Sequence, residues 1–109
     1  MAAYIEKIEE YTIMTSGYYP SGGGWEARIS LILPDKFVYF YFMTPGKALK
    51  SIESHFNRFN EEIVKVYFRY EQFRDIVDLL RNEEPVYLFY SGQLAYLTTS
   101  REPVGEGEL

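Results

Sequence analysis

The stretch at residues 62–90, EIVKVYFRYEQFRDIVDLLRNEEPVYLFY, constrains the fold more than any other part of the chain. It reads as a strand, a helix and a second strand with almost no connecting loop. Phe73, Ile76, Val77 and Leu80 are spaced so that all four lie on one stripe of a helix with about 3.6 residues per turn. Val66, Phe68 and Tyr70 before it, and Val86, Leu88 and Tyr90 after it, alternate as strand residues do. Glu71, Gln72 and Asp75 fall at the positive end of the helix dipole and Arg81 near the negative end. Asn82 and Pro85 mark the stop.

The rest of the chain is read outward from that unit. Ile5 and Ile8 suit a short helix, whereas Tyr11, Ile13 and Thr15 alternate, so a strand is expected over about residues 8–17. GYYPSGGGW, residues 17–25, is expected to be a long hairpin loop, because consecutive glycines and a proline break regular structure. From Trp25 the alternation is clean: Trp25, Ala27, Ile29, Leu31 and Leu33 face one way, and Glu26, Arg28, Ser30 and Ile32 the other. Pro34-Asp35 is a turn. FVYFYFM, residues 37–43, is apolar on both faces, with Val38, Phe40 and Phe42 on one and Phe37, Tyr39, Tyr41 and Met43 on the other. A strand of that kind is central in its sheet or covered on both sides.

Thr44-Pro45 has the form of a helix start, a hydroxyl cap followed by proline at the first helical position. Ala48, Leu49, Ile52, His55, Phe56 and Phe59 then follow at helical spacing, and Asn60, which tolerates left-handed backbone, is a suitable end. Residues 85–91, a turn at 91–93 and residues 94–100 form a hairpin. The expected fold is therefore α+β in the order β-β-β-α-β-α-β-β. Two helices would pack on one mostly antiparallel sheet of about six strands, mixed where a helix is a right-handed crossover between parallel strands.

A chain of 109 residues is expected to form one domain over residues 1–100, with 101–109 (REPVGEGEL) an exposed acidic tail. Apolar residues make up 47%, enough to bury against chain entropy. The net charge of −5 weighs against a general phosphate-binding surface. With no cysteine, disulfides, thiolate metal sites and thiol catalysis are excluded. The N-terminal MAAYIEKIEE carries charges where a secretory segment is apolar, and the run at 37–43 is far short of the ~20 residues that span a bilayer. A soluble cytoplasmic protein without membrane contact is expected.

Gly46-Lys47 after a strand lacks the rest of a phosphate loop, since position 41 is Tyr and position 48 is Ala. Helix amides beside Lys47 and Lys50 could still hold an anion, against the simpler reading of solvated lysines. Asp35 on its turn is followed by no second carboxylate in the next strand, so a Mg²⁺ site is not indicated. His55, the single histidine, sits on an apolar stripe and is expected to be packed rather than catalytic. The acid pairs Glu9-Glu10, Glu61-Glu62 and Glu83-Glu84 read as solvated loops. No catalytic residue, metal or cofactor is expected. An enzyme with a pocket near residues 22–25 stays open as a class without an identified nucleophile.

The aromatic inventory carries the functional expectation. Tyr18, Tyr19 and Trp25 flank the glycine-rich loop, and Tyr39, Tyr41 and Tyr67 recur on strands, as do Tyr87 and Tyr96. If one sheet face lies under helices, several phenols must occupy the other. Tyr and Trp give large contact area at low entropic cost, so such a face suits a partner. The first expectation is a non-enzymatic interaction protein that self-associates as a homodimer through this face, with Tyr18, Tyr19, Trp25, Tyr39, Tyr41 and Tyr67 as binding residues. The alternative is a single-stranded nucleic-acid binder, with bases on the strand aromatics and Arg28, Lys65 and Arg69 along the backbone. Over residues 8–82 the element order resembles the ββββα order of the Whirly single-strand binders, which would imply that second activity.

Overall fold

The computed structural model describes residues 4–15 and 24–99. The expected tail 101–109 and the loop with Tyr18 and Tyr19 lie outside the described residues. Eight strands and one helix follow in order: β1 (Tyr4–Lys7), β2 (Glu10–Thr15), β3 (Trp25–Ile32), β4 (Lys36–Met43), β5 (Glu53–Phe56), β6 (Glu62–Arg69), α1 (Phe73–Asn82), β7 (Val86–Tyr90) and β8 (Ala95–Thr99). A single 3-10 turn at Tyr70–Gln72 leads from β6 into α1.

The strands make two sheets, one of five strands in the order β2-β3-β4-β6-β5 and one of three in the order β1-β7-β8. One sheet of about six strands under two helices is therefore incorrect. The α+β class and the mixed pairing stand: β4 and β6 run parallel and their neighbours antiparallel. β4 is central, as its two-sided apolar pattern requires. The small sheet takes the place of the missing second helix in covering the large one. The strand expected over about residues 8–17 forms over 10–15 as β2, and Ile8 just before it donates its N–H to Val86 O as the chain passes from the small sheet to the large. Tyr4–Lys7 pairs with β7, so no short helix forms at Ile5 and Ile8.

The core lies between the two layers. Ala27, Ile29 and Leu31 of β3, Val38, Phe40 and Phe42 of β4, and Val64 and Val66 of β6 meet Val77 and Leu80 of α1 and Val86 and Leu88 of β7. At about 1.5–3 kcal/mol for each large side chain taken from water, this cluster is what seats α1 and the small sheet. Phenylalanine rings continue it: Phe40 and Phe42 approach Phe68 at 4.8 and 5.4 Å, and Phe42 meets Phe73 of the helix at 5.0 Å. The helix stripe Phe73, Ile76, Val77 and Leu80 faces this core as its spacing predicts, while Arg74, Asp75, Asp78 and Arg81 face outward.

The helix expected after Thr44-Pro45 does not form. Gly46 has φ +91, a left-handed angle that ends helical continuation within a turn, closed by Lys47 N–H to Thr44 O at 3.0 Å. Further on, the exposed edge of β6 competes for the segment, and Glu53–Phe56 adds to it as an antiparallel strand. The connecting turn is built by Asn57, whose Oδ1 accepts from the N–H groups of Phe59 and Glu61, both at 2.9 Å. Asn60 takes the left-handed conformation expected of it, φ 62, but in this hairpin turn rather than at a helix end. Of the expected apolar stripe only Ile52 packs against the core, and Phe56 and Phe59 are exposed by 64% and 69%. His55 is likewise exposed and not packed.

One lysine joins the layers. Lys36, 9% exposed, places its ammonium 3.0 Å from Glu62 Oε1 and 4.0 Å from the ring centre of Tyr4 in the small sheet. The Tyr90 ring lies 5.5 Å from the same ammonium, and the Tyr4 hydroxyl donates to Asp35 at 2.8 Å.

Candidate interaction face

The face of the large sheet turned away from α1 and the small sheet carries no helix and no strand among the described residues. Its content follows from strand register. One row across the strands runs Glu10, Ile32, Phe37, Ile63 and His55. The next runs Thr12, Ser30, Tyr39, Lys65 and Glu53, and the third Met14, Arg28, Tyr41 and Tyr67. Trp25, Met43 and Arg69 close the face at one end.

Four of the six residues expected to bind are thus brought together: Trp25, Tyr39, Tyr41 and Tyr67. Trp25 reaches them only because of a β-bulge between Trp25 and Ala27. The extra residue in β3 breaks the two-residue alternation, so Trp25 leaves the Ala27 side on which simple alternation puts it. Its ring meets Tyr41 edge to face at 5.5 Å, and Tyr41 stacks on Tyr67 at 5.6 Å with 19° between planes. Tyr39 meets Tyr41 at 6.3 Å and 88°. All four rings are half-buried by one another. Tyr87 and Tyr96, by contrast, stand on the small sheet, where Tyr96 stacks on Phe89 at 4.8 Å.

Polar groups are threaded through the rings. The Arg28 guanidinium lies 4.7 Å from the centre of the Tyr39 ring, and its Nε is buried without an acceptor. The Lys50 ammonium sits 5.6 Å from the Tyr67 ring centre. Tyr67 donates its hydroxyl to Glu53 Oε1 at 2.6 Å. Burial raises the Tyr67 phenol well above its ordinary value, and the bond to Glu53 adds to the rise, because ionisation would set two negative charges together.

The face also holds residues that the aromatic inventory missed. Ile32, Phe37 and Ile63 form an apolar row beside the tyrosines, and Met14 is 47% exposed. Ile63 could have been found by counting back from Lys65 and Tyr67 with period two. Its place beside Phe37 depends on the parallel register of β4 and β6, which no single strand encodes. Among the described residues no cluster of three or more potential metal ligands occurs, and no helix is long and apolar enough to cross a membrane. No family model, curated protein or solved structure matches this chain.

Proposed function

We propose that this chain is a small cytoplasmic, non-enzymatic interaction protein, and that it forms a homodimer by packing the open face of its five-stranded sheet on the same face of a second copy. The observation that carries this reading is the registered apolar row Ile32, Phe37 and Ile63 beside Tyr39, Tyr41 and Tyr67, on a sheet whose other face is already covered. Sheets stack face to face about 10 Å apart through such interdigitating rows. The five strands present roughly 500–600 Å² in projection, using strand spacings of about 4.8 Å and rises of about 3.3 Å. Counted as accessible surface this approaches the ~800 Å² that each partner contributes to a standard interface. A two-fold arrangement needs one self-complementary surface, and this face has cations at Arg28, Lys65 and Arg69 with carboxylates at its edges, Glu10 and Glu53.

A single-stranded nucleic-acid reading rests on the same three cations. The rings weigh against it. Base stacking needs an open ring face, whereas Tyr41 is flanked by Trp25 and Tyr67, Arg28 covers Tyr39, and Lys50 lies beside Tyr67. Rings packed on one another and on cations in this way suit a protein surface better than a stack of bases.

Sedimentation equilibrium over micromolar concentrations tests the proposal. A dimer that dissociates on replacing Ile63 with Lys or Tyr41 with Ala, each weakening association by at least ~30-fold as a central contact should, is the expected result. A monomer at high micromolar concentration refutes it. Quenching of Trp25 fluorescence by an oligonucleotide at low salt, lost at high salt, would favour the second reading instead.

A further inference from the structure

At the carboxyl ends of β4 and β6 the two parallel neighbours part. β4 leads away through residues 44–52 toward β5, and β6 turns through Tyr70–Gln72 into α1. Adjacent parallel strands whose connections diverge leave a crevice beyond their ends, where open sheets often hold ligands. Here it is a cleft of about 360 Å³ lined by Met43, Thr44, Lys47, Leu49, Arg69 and Tyr70, with Glu71 at its wall. Met43 supplies a buried floor, and Leu49 and Tyr70, exposed by 45% and 43%, supply apolar sides. Lys47 comes from the 44–52 connection and Arg69 from the last position of β6, and both are exposed to solvent, which leaves their charges available.

Charge distinguishes this cleft from two others on a chain whose net charge is −5. A cleft near β1 and the end of α1 includes Lys7 and Arg81 but also Glu9, Glu83 and Glu84. A groove along α1 sets Arg74 and Arg81 against Glu71, Asp75 and Asp78. Both are lined by more acids than bases, and the β4–β6 cleft by more bases than acids. Two cations against one carboxylate leave a surplus of one positive charge, which matches a monoanion better than a phosphate dianion.

We propose that this cleft binds a small carboxylate monoanion with an apolar or aromatic body. The carboxylate would accept from Arg69 and Lys47, with the Thr44 hydroxyl as a further donor, and the body would lie over Met43 between Leu49 and Tyr70. Glu71 opposes binding and sets the limit on ligand charge.

Amide shifts in ¹H–¹⁵N spectra of the full chain, titrated with benzoate, test the proposal, with benzamide as the neutral isostere and inorganic phosphate as the dianion. Saturable shifts confined to residues 44–49 and 69–71 are expected with benzoate and not with benzamide. Lys47→Gln and Arg69→Gln should each weaken benzoate ~5-fold, while Glu71→Gln should tighten it ~3-fold, as removal of solvent-screened charges allows. All three side chains are exposed, so the fold survives each change. Equal response to benzamide, insensitivity to Glu71→Gln, shifts spread over the whole surface, or no shift would overturn the assignment. Self-association measured on the Lys47→Gln and Glu71→Gln samples separates this site from the sheet face, because Lys47 and Glu71 are not on it, whereas Arg69 belongs to both.

Discussion

Replacing Lys36 with methionine tests how the two layers are held together. The native ammonium has one ionic partner, Glu62 at 3.0 Å, and two ring partners, Tyr4 at 4.0 Å and Tyr90 at 5.5 Å. Both charged side chains are shielded, at 9% and 22% exposure. A hydrogen bond to a charged group contributes about 1.5–3 kcal/mol net, and a cation over a ring about 0.5–2. Methionine restores part of this, since its chain has similar length and sulfur beside rings gives about 0.3–1.5 kcal/mol. The balance is a loss of about 2 kcal/mol. Unfolding entropy near 2.1 cal/mol/K per residue converts that to a fall of about 9 °C in Tm for a chain of this length.

The acid limb of the stability curve gives a second readout of the same variant. The hydrogen bond from Ser54 and the pairing with Lys36 hold the Glu62 carboxyl below its ordinary value. A carboxylate depressed in the folded state stabilises fully above its unfolded pKa of 4.5, and that contribution is lost as pH falls through the folded value. Lys36→Met should therefore flatten the wild-type decline across this window. Calorimetry at neutral and acid pH decides the matter. If the variant melts within about 2 °C of wild type, or above it, the ion pair only breaks even against its desolvation, and shape rather than charge joins the sheets.

Raising the pH should destabilise the protein above the ordinary phenol value of 10.0: the folded Tyr4 and Tyr67 resist ionisation, so their contribution is complete below that value and lost above it. Tyr67→Phe should make denaturation midpoints less sensitive to alkali, and an unchanged slope would contradict the Glu53 contact. Leu88→Ala, at a fully buried site in β7, should cost about 2–5 kcal/mol by denaturant titration. Asn57→Ala removes the acceptor for two backbone N–H groups in the β5–β6 turn and should cost about 1–2 kcal/mol, with amide exchange speeding up at Phe59 and Glu61. Gly46→Ala should destabilise by about 1 kcal/mol through its left-handed angle alone, because a Cβ there meets no neighbour.

Local pattern by itself determined the elements whose signals are self-contained. The stripe Phe73, Ile76, Val77 and Leu80 forms the one-sided helix its spacing predicts, and the alternation along 27–32 and 37–43 forms strands with opposed faces. The separation of Phe40 and Phe42 from Tyr39 and Tyr41 onto opposite faces was legible for the same reason: side chains on a strand have a period of two. Tertiary structure decided what pattern leaves degenerate. Residues 44–60 have a helical stripe, but a free β6 edge and an Asn57-built turn outcompeted it, and that competition depends on a strand not yet formed when only the segment is read. The bulge that turns Trp25 toward Tyr41, and the parallel register that sets Ile63 beside Phe37, likewise exist only between strands. A periodicity belongs to one segment, whereas an edge, a bulge and a register belong to a pair, so the elements could be read from the chain and the binding face only from its assembly.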